Sequence, residues 1–236
     1  MTDAALLSII VPSLNAGATI GATLDSVAAA CAGLAGPSPE VILIDGGSQD
    51  GTIAEAAARR QALPGLRILH QSTRGLAAAR NEAVASSSAP LIGFCDADDR
   101  WTPGAITLRL AALRLRPDVW AATGQVRFVS VAGDASAAPV RRVEGAEHPG
   151  FTPGAMLIRR QAFQSVGPFD AALRIGADGD WILRAAQALG PPLVIPQVVL
   201  EKGLRPGSLS TDVAAYRAEM MLIARRFIAR ARRGGA

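Results

Sequence analysis

Apolar runs punctuated by polar turns organise the first hundred residues. Residues 6–11 form a continuous β-rich apolar run that stops at Pro12, the pattern of a central parallel strand. The turn-forming stretch PSLNAGAT (12–19) follows, and helical character returns over 20–31. A Gly/Pro loop at 33–39 leads to a second buried strand, 40–44, which runs directly into DGGSQDGT at 45–52. Residues 53–62 read as a helix with Asp50 as N-cap, and 66–69 as a third short strand. Arg74 and Gly75 open the next helix, LAAARNEAVASSS, and 91–95 is a fourth buried strand. Such alternation predicts βαβ units and a right-handed, mostly parallel sheet. Ligands of these sheets gather beyond the carboxyl ends of the strands. The loops at Asn15, Asp45, Arg74 and Asp96 therefore converge on one edge, as a nucleotide pocket requires.

Past a helix over 104–115 the pattern loosens. Residues 119–131 are β-rich with mixed polarity, and 132–150 are loop-like, the composition of a flap. A short apolar stretch at 156–158 precedes a helix at 160–166, the turn GPFD, and a helix over 178–189. Brief strands at 193–195 and 198–200 lead to a last amphipathic helix, 213–233. No repeat or linker divides the chain. It reads as one domain over 1–236, with a nucleotide-binding half (1–100), an acceptor and catalytic half (101–210) and a basic C-terminal helix (211–236).

Composition narrows the class. With 236 residues, 50% hydrophobic and 19% charged, the chain is ordinary globular protein with enough length for a sizeable core. Its net charge is +4, and Lys202 is the only lysine, so arginine supplies nearly all the positive charge. Nucleic-acid binding is set aside, because there is no basic stripe with interleaved aromatics and aromatics are only 4% of residues. Cys31 and Cys95 sit in apolar segments and read as buried thiols. Neither a signal segment nor a transmembrane run is visible, so the expected location is a reducing, cytoplasmic compartment.

The candidate chemistry centres on PLIGFCDADDRW (90–101), where a buried strand ends abruptly in Asp96, Asp98 and Asp99. Carboxylates there cost folding energy unless something compensates them. Asp96 and Asp98 can close on one cation if the chain turns after Asp96, and oxygen-only ligation suits Mg²⁺ or Mn²⁺. Alone, the stretch reads equally as an acidic turn before a helix with Thr102 at N-cap and Pro103 at N1.

Several motifs in order make the chain resemble the family 2 glycosyltransferases, inverting enzymes of the GT-A fold. These are SIIVPSLNAGATI (8–20), IDGGSQDGT (44–52), RGLAAARNEAV (74–84), FCDADD (94–99), GPFDAALRIGADGDWILR (167–184) and LEKGLRPGSLS (200–210). The resemblance implies a GT-A fold: a Rossmann-like, mostly parallel α/β sheet flanked by helices, with a C-terminal acceptor-side subdomain. Pro12 and Ser13 would lie beside the nucleotide base. Asn15 is either a nucleotide contact or a turn residue. Asp45 would accept a hydrogen bond from the base, commonly the imide of uracil. The helix N-terminus at Gly75 favours anions. Arg80 either joins the aspartate cluster or phosphate, or makes a surface bridge with an acid such as Glu82. Asp96 would contact ribose or metal, and Asp98 the metal. Asp178 matches the catalytic base, with Ala177 where relatives carry another acid. Asp180 would support it and Trp181 would stack on the acceptor sugar. Otherwise Asp178 and Asp180 only cap the helix, with Arg184 an i+4 partner of Asp180. Arg205 stands where relatives often have a metal-binding histidine. Arginine cannot ligate a cation but can grip a diphosphate, which leaves the third metal ligand open.

The expected activity is transfer of a sugar from a nucleoside-diphosphate sugar, UDP-linked first of all, to a glycan, lipid-linked or other hydroxyl acceptor. Two rivals stand beside it. A sugar-nucleotide nucleotidyltransferase would need a Gly-rich loop with Arg and Lys after the first strand, which PSLNAGAT lacks. A non-catalytic sugar-nucleotide binder is suggested by Ala177, Gly203 and Arg205. The tail RRFIARARR (225–233) adds an expected peripheral contact with anionic membrane.

Overall fold

The computed structural model describes residues 5–130, 145–204 and 213–234. Nine strands form one sheet in the order β3-β2-β1-β4-β8-β6-β9-β5, with β7 paired to β6. The first four strands are β1 (Leu7–Ser13), β2 (Glu40–Asp45), β3 (Leu66–His70) and β4 (Leu91–Phe94). Their pairings with one another are all parallel. Helices α1 (Ile20–Cys31), α2 (Thr52–Ala57) and α3 (Leu76–Ala85) make the crossovers. Because neighbouring residues of a strand face opposite sides, these largely apolar strands feed two cores. Ile9, Val11 and Leu43 join the α1 side with Leu24 and Val27, while Ile10, Ile42 and Phe94 join the α3 side with Ala77, Ala79 and Ala83.

The second half completes the sheet with mixed pairing. It comprises β5 (Arg100–Trp101), α4 (Ala105–Leu115), β6 (Ala121–Ser130), β7 (Glu147–Pro149), β8 (Met156–Arg159), α5 (Arg160–Val166), α6 (Ala177–Leu189), β9 (Leu193–Leu204) and α7 (Val213–Gly234). Strand β8 runs antiparallel between β4 and β6, carrying the sheet from the parallel half into the mixed one, where β6 and β9 are parallel again. Here the elements differ from expectation in several ways. The two brief strands expected at 193–195 and 198–200 are one, β9, kept continuous past Pro196 by irregular register against Thr123–Val126. Helix α2 ends at Ala57, and turns then run to Leu63, which Pro64 biases away from helical backbone. Helix α4 starts after Gly104 rather than at Thr102. Gly104 has φ +76°, and the Thr102 hydroxyl donates to Val198 O at 2.7 Å instead of capping.

Pro12 does not end β1, which continues through Ser13. Pairing of β1 with β4 stops at Ile10–Phe94, so the missing N–H of Pro12 deprives no ladder partner. Beyond Ile10 and Phe94 the two strands are no longer paired, and the loops that follow them leave from the carboxyl edge of the sheet. No helix among the described residues is long and apolar enough to cross a membrane. Both cysteines are free thiols, and burial pushes Cys31 up to about 11.

Candidate functional site

The loop after β2 is built around Asp45, which is only 2% exposed. One of its oxygens accepts from the hydroxyls of Ser13 (3.2 Å) and Ser48 (2.5 Å), the other from the backbone N–H of Gly47 (3.0 Å) and Ser48 (2.8 Å). Those bonds use the carboxylate's four lone-pair sites. Asp45 therefore shapes the loop first, and a base N–H must displace a serine hydroxyl to reach it. Asn15 adopts left-handed backbone, φ +48°. Its N–H donates to Ser48 Oγ (2.8 Å) and its side-chain oxygen accepts from Gln49 N (2.9 Å), so it ties the first loop to the second. Asp50 binds the same loops together, accepting from Gly17 N at 2.9 Å and Thr52 N at 3.0 Å.

Gly75 precedes α3 with φ +112°, a conformation that favours glycine. Glu82 is engaged with the backbone N–H groups of Ser72 and Thr73, both at 2.8 Å, which rules it out as the partner of Arg80. Arg80 instead points inward. It is 1% exposed and its guanidinium lies beside the rings of Phe94 and Phe169, at 5.9 and 5.8 Å. One terminal nitrogen donates to Asp96 at 2.7 Å and the other to Asp178. Burial pulls this guanidinium's pKa down, but Asp178 and Asp96 outweigh it and hold the group charged. Next to it, Asn81 exchanges two bonds of 2.9 Å with the backbone of Phe169, clamping the GPFD turn to α3.

Asp96 turns the chain away from the sheet, its carbonyl accepting from Asp99 N at 2.9 Å. Burial raises its carboxyl, but Arg80 and then Lys202 more than offset this and hold it below the ordinary value. Asp98 is partly exposed on the same turn. Asp99 is 1% exposed and accepts from Lys202 Nζ (3.2 Å) and Gly203 N (2.9 Å). Its pKa is raised to about 6, chiefly by burial. Among the described residues no group of three or more His, Cys, Asp or Glu is arranged to hold a metal ion. Asp96 and Asp98 supply oxygen donors only, a set suited to Mg²⁺ or Mn²⁺ that completes its shell with water and phosphate.

Asp178 lies in the first turn of α6, its side chain 27% exposed. Burial raises its pKa against the pull of Arg80, and Asp96 adds to the rise. Asp180 faces the opposite way. It is 1% exposed, held by Arg184 at 2.7 Å and by Arg230 of α7 at 3.3 Å. Arg184 also donates to Val166 O and Pro168 O, both at 2.7 Å, so Asp180 anchors the turn behind the site.

Trp181 does not reach an acceptor. It is fully buried, stacked on Phe163 with centroids 4.4 Å apart, and donates to Gly167 O at 2.8 Å. Its place follows the apolar stripe Ala177, Trp181, Ala185 on the inner side of α6. Trp181→Phe should lower stability by about 1 kcal/mol through loss of that hydrogen bond. The acceptor KM should stay unchanged, which urea unfolding and acceptor titration check together. Ala177 is equally buried, so a carboxylate there would enter the core rather than the cleft. Arg205 lies outside the described residues.

Sequence reasoning overlooked Lys202 and Glu219. Glu219 accepts from the consecutive backbone N–H groups of Arg174 (3.0 Å), Ile175 (2.9 Å) and Gly176 (2.7 Å), the loop that leads into α6. As the one acid in the arginine-rich stretch 213–234, it was the visible signal.

The family model described as Glycosyl transferase family 2 matches residues 8–167. The succinoglycan biosynthesis protein ExoU of Rhizobium meliloti is 34% identical over 201 residues, covering 75% of this chain and 56% of ExoU. The chain thus spans little more than half the length of that relative. Residues 1–349 of Staphylococcus aureus TarS, solved with UDP-GlcNAc, superpose with a TM-score of 0.67 at 18% identity, over 87% of this chain and 60% of that TarS fragment. The mannosyltransferase PcManGT of Pyrobaculum calidifontis, solved with GDP-Man and Mn²⁺, gives 0.65 at 20% identity, over 97% of this chain and 64% of its own. With its half-parallel sheet, crevice edge and ordered motifs, the chain has the GT-A fold and belongs to glycosyltransferase family 2.

Proposed function

We propose that the chain is an inverting glycosyltransferase that moves a sugar from a nucleoside-diphosphate sugar, UDP-linked, to an acceptor hydroxyl in bacterial polysaccharide or glycoconjugate synthesis. The observation that carries this reading is the single guanidinium of Arg80 joining Asp96, on the donor side, to Asp178, at the start of α6. It holds a candidate base within one side chain of the carboxylates where the donor's diphosphate belongs. Asp178 takes the proton from the acceptor hydroxyl, whose oxygen attacks the anomeric carbon from the face opposite the leaving diphosphate. Its raised pKa improves it as a proton acceptor near neutral pH. Asp96 and Asp98 would hold a divalent cation, which when bound neutralises charge growing on the leaving group. The Ser13, Asn15 and Asp45 loops receive the nucleoside, and the N-terminus of α3 at Gly75 adds a positive dipole end. Outward residues of α7, among them Met221, Leu222, Arg225 and Ile228, suit a peripheral contact with anionic lipid.

TarS was solved with a uridine nucleotide sugar and PcManGT with a guanosine one, so the decisive experiment is a thermal-shift panel of UDP and GDP with and without Mn²⁺. UDP with Mn²⁺ should raise Tm most. Asp98→Ala should remove the Mn²⁺-dependent part of the shift, since stabilisation by a ligand follows its affinity for the folded state. An Asp98→Ala protein that UDP and Mn²⁺ stabilise like the parent would show that Asp98 does not hold the cation. No shift with either nucleotide would sink the donor reading itself.

A further inference from the structure

Among the described residues the acidic cluster contains two cations, and they are placed differently. Arg80 is 1% exposed and committed to two carboxylates. Lys202 is the chain's single lysine, and its side chain is 32% exposed. Its ammonium donates to Asp99 at 3.2 Å and stands 3.9 Å from the second oxygen of Asp96, too far for a hydrogen bond. An ammonium has three N–H donors, so the bond to Asp99 leaves two for something else. Asp99 meanwhile grips both ends of this residue, the tip through one oxygen and the neighbouring Gly203 N–H through the other. The backbone beneath is fixed as well, because Lys202 pairs with Phe128 in the β6–β9 ladder.

Four carboxylates, Asp96, Asp98, Asp99 and Asp178, surround these two cations. An incoming diphosphate meets net negative charge there, and among the described residues Lys202 is the cation of this cluster with exposure and spare donors to meet it. We propose that Lys202 is the diphosphate-binding residue of this site. Its ammonium gives a spare N–H to a phosphate oxygen while Asp99 keeps hold of it. This inference rests on the donor reading above.

The test is titration calorimetry with UDP and GDP, in Mn²⁺, on the parent, Lys202→Met, Lys202→Arg and Asp99→Asn, with urea unfolding of each ligand-free protein. Lys202→Met should raise the Kd of the preferred diphosphate by about tenfold, the size expected for one charge-assisted hydrogen bond. Lys202→Arg should recover most of that loss. Asp99→Asn keeps the ammonium and loosens its hold, so it should bind the diphosphate at least as well as Lys202→Met does, and close to the parent. An unchanged Kd in Lys202→Met overturns the proposal. So does equal loss of binding and of stability in Lys202→Met and Asp99→Asn, the mark of a structural tether. Should the parent bind neither UDP nor GDP, the donor reading has failed and this inference falls with it.

Discussion

Asp178→Asn should slow glycosyl transfer by about 10²–10⁴-fold, the usual contribution of a general base. The amide keeps the shape of the carboxylate and can still meet solvent, but it cannot take the acceptor's proton. Donor affinity should stay near the parent's, because Arg80 retains Asp96. The rate–pH profile offers a second readout. In the parent, the rate should climb through an apparent pKa above the ordinary carboxylate value, since burial raises Asp178. In Asp178→Asn that limb should disappear. Asp180→Asn is the contrast: its carboxylate is buried between Arg184 and Arg230, so its loss should appear in unfolding and not in turnover. If Asp180→Asn stops transfer and Asp178→Asn does not, the base has been misplaced by two residues.

Arg80→Ala should lower stability by about 3 kcal/mol, the lower end of the range for removing one partner of a buried ion pair. The lower end applies because Asp96 and Asp178 keep 20% and 27% of their side chains exposed and can recover some hydration. Both carboxylates then face each other without the guanidinium. Each should titrate higher, and transfer should fall together with stability. Arg80→Lys restores one charge but has a single ammonium where two terminal nitrogens now reach two acids, so it should rescue stability only in part. Urea unfolding at neutral pH reads the effect. An Arg80→Ala protein as stable as the parent would mean that the bridge contributes nothing to the fold.

Much of the donor half could be read directly from the chain. Strands β1, β2 and β4 are built on apolar runs buried on both faces, and the turns are polar, so strand and helix alternate visibly. Even there, periodicity could not tell that Pro12 lies within a strand, because that depends on where β4 parts from β1. The acceptor half was harder. Strand β5 is two residues long, and β9 crosses Pro196 through a change of register that only its partner dictates. The direction of Arg80 was left open between the aspartate cluster, where the structure puts it, and a surface bridge. A buried arginine is rare, and the sequence showed a basic residue on a helix with acids nearby in number, not in space. Its neighbours Ala77, Ala78 and Ala79 were a usable sign that this helix lies close on the sheet. Trp181 was misread in the opposite sense. An aromatic beside a candidate base suggests a sugar platform, whereas the i, i+4 stripe it shares with Ala177 and Ala185 already marked it as core.

The bond from Glu219 to the 174–176 loop bears on how the protein is made. Strands β1 to β4, with their helices, draw their mutual pairings from the first hundred residues of the emerging chain. The loop that carries the proposed base cannot be finished so early. Its three backbone N–H groups wait for a carboxylate 43 residues beyond Gly176. Asp180 waits further still, for Arg230. A chain stalled short of α7 would therefore hold the donor crevice without a fixed base opposite it. Ribosome-bound chains of increasing length should gain nucleotide binding well before they gain transfer.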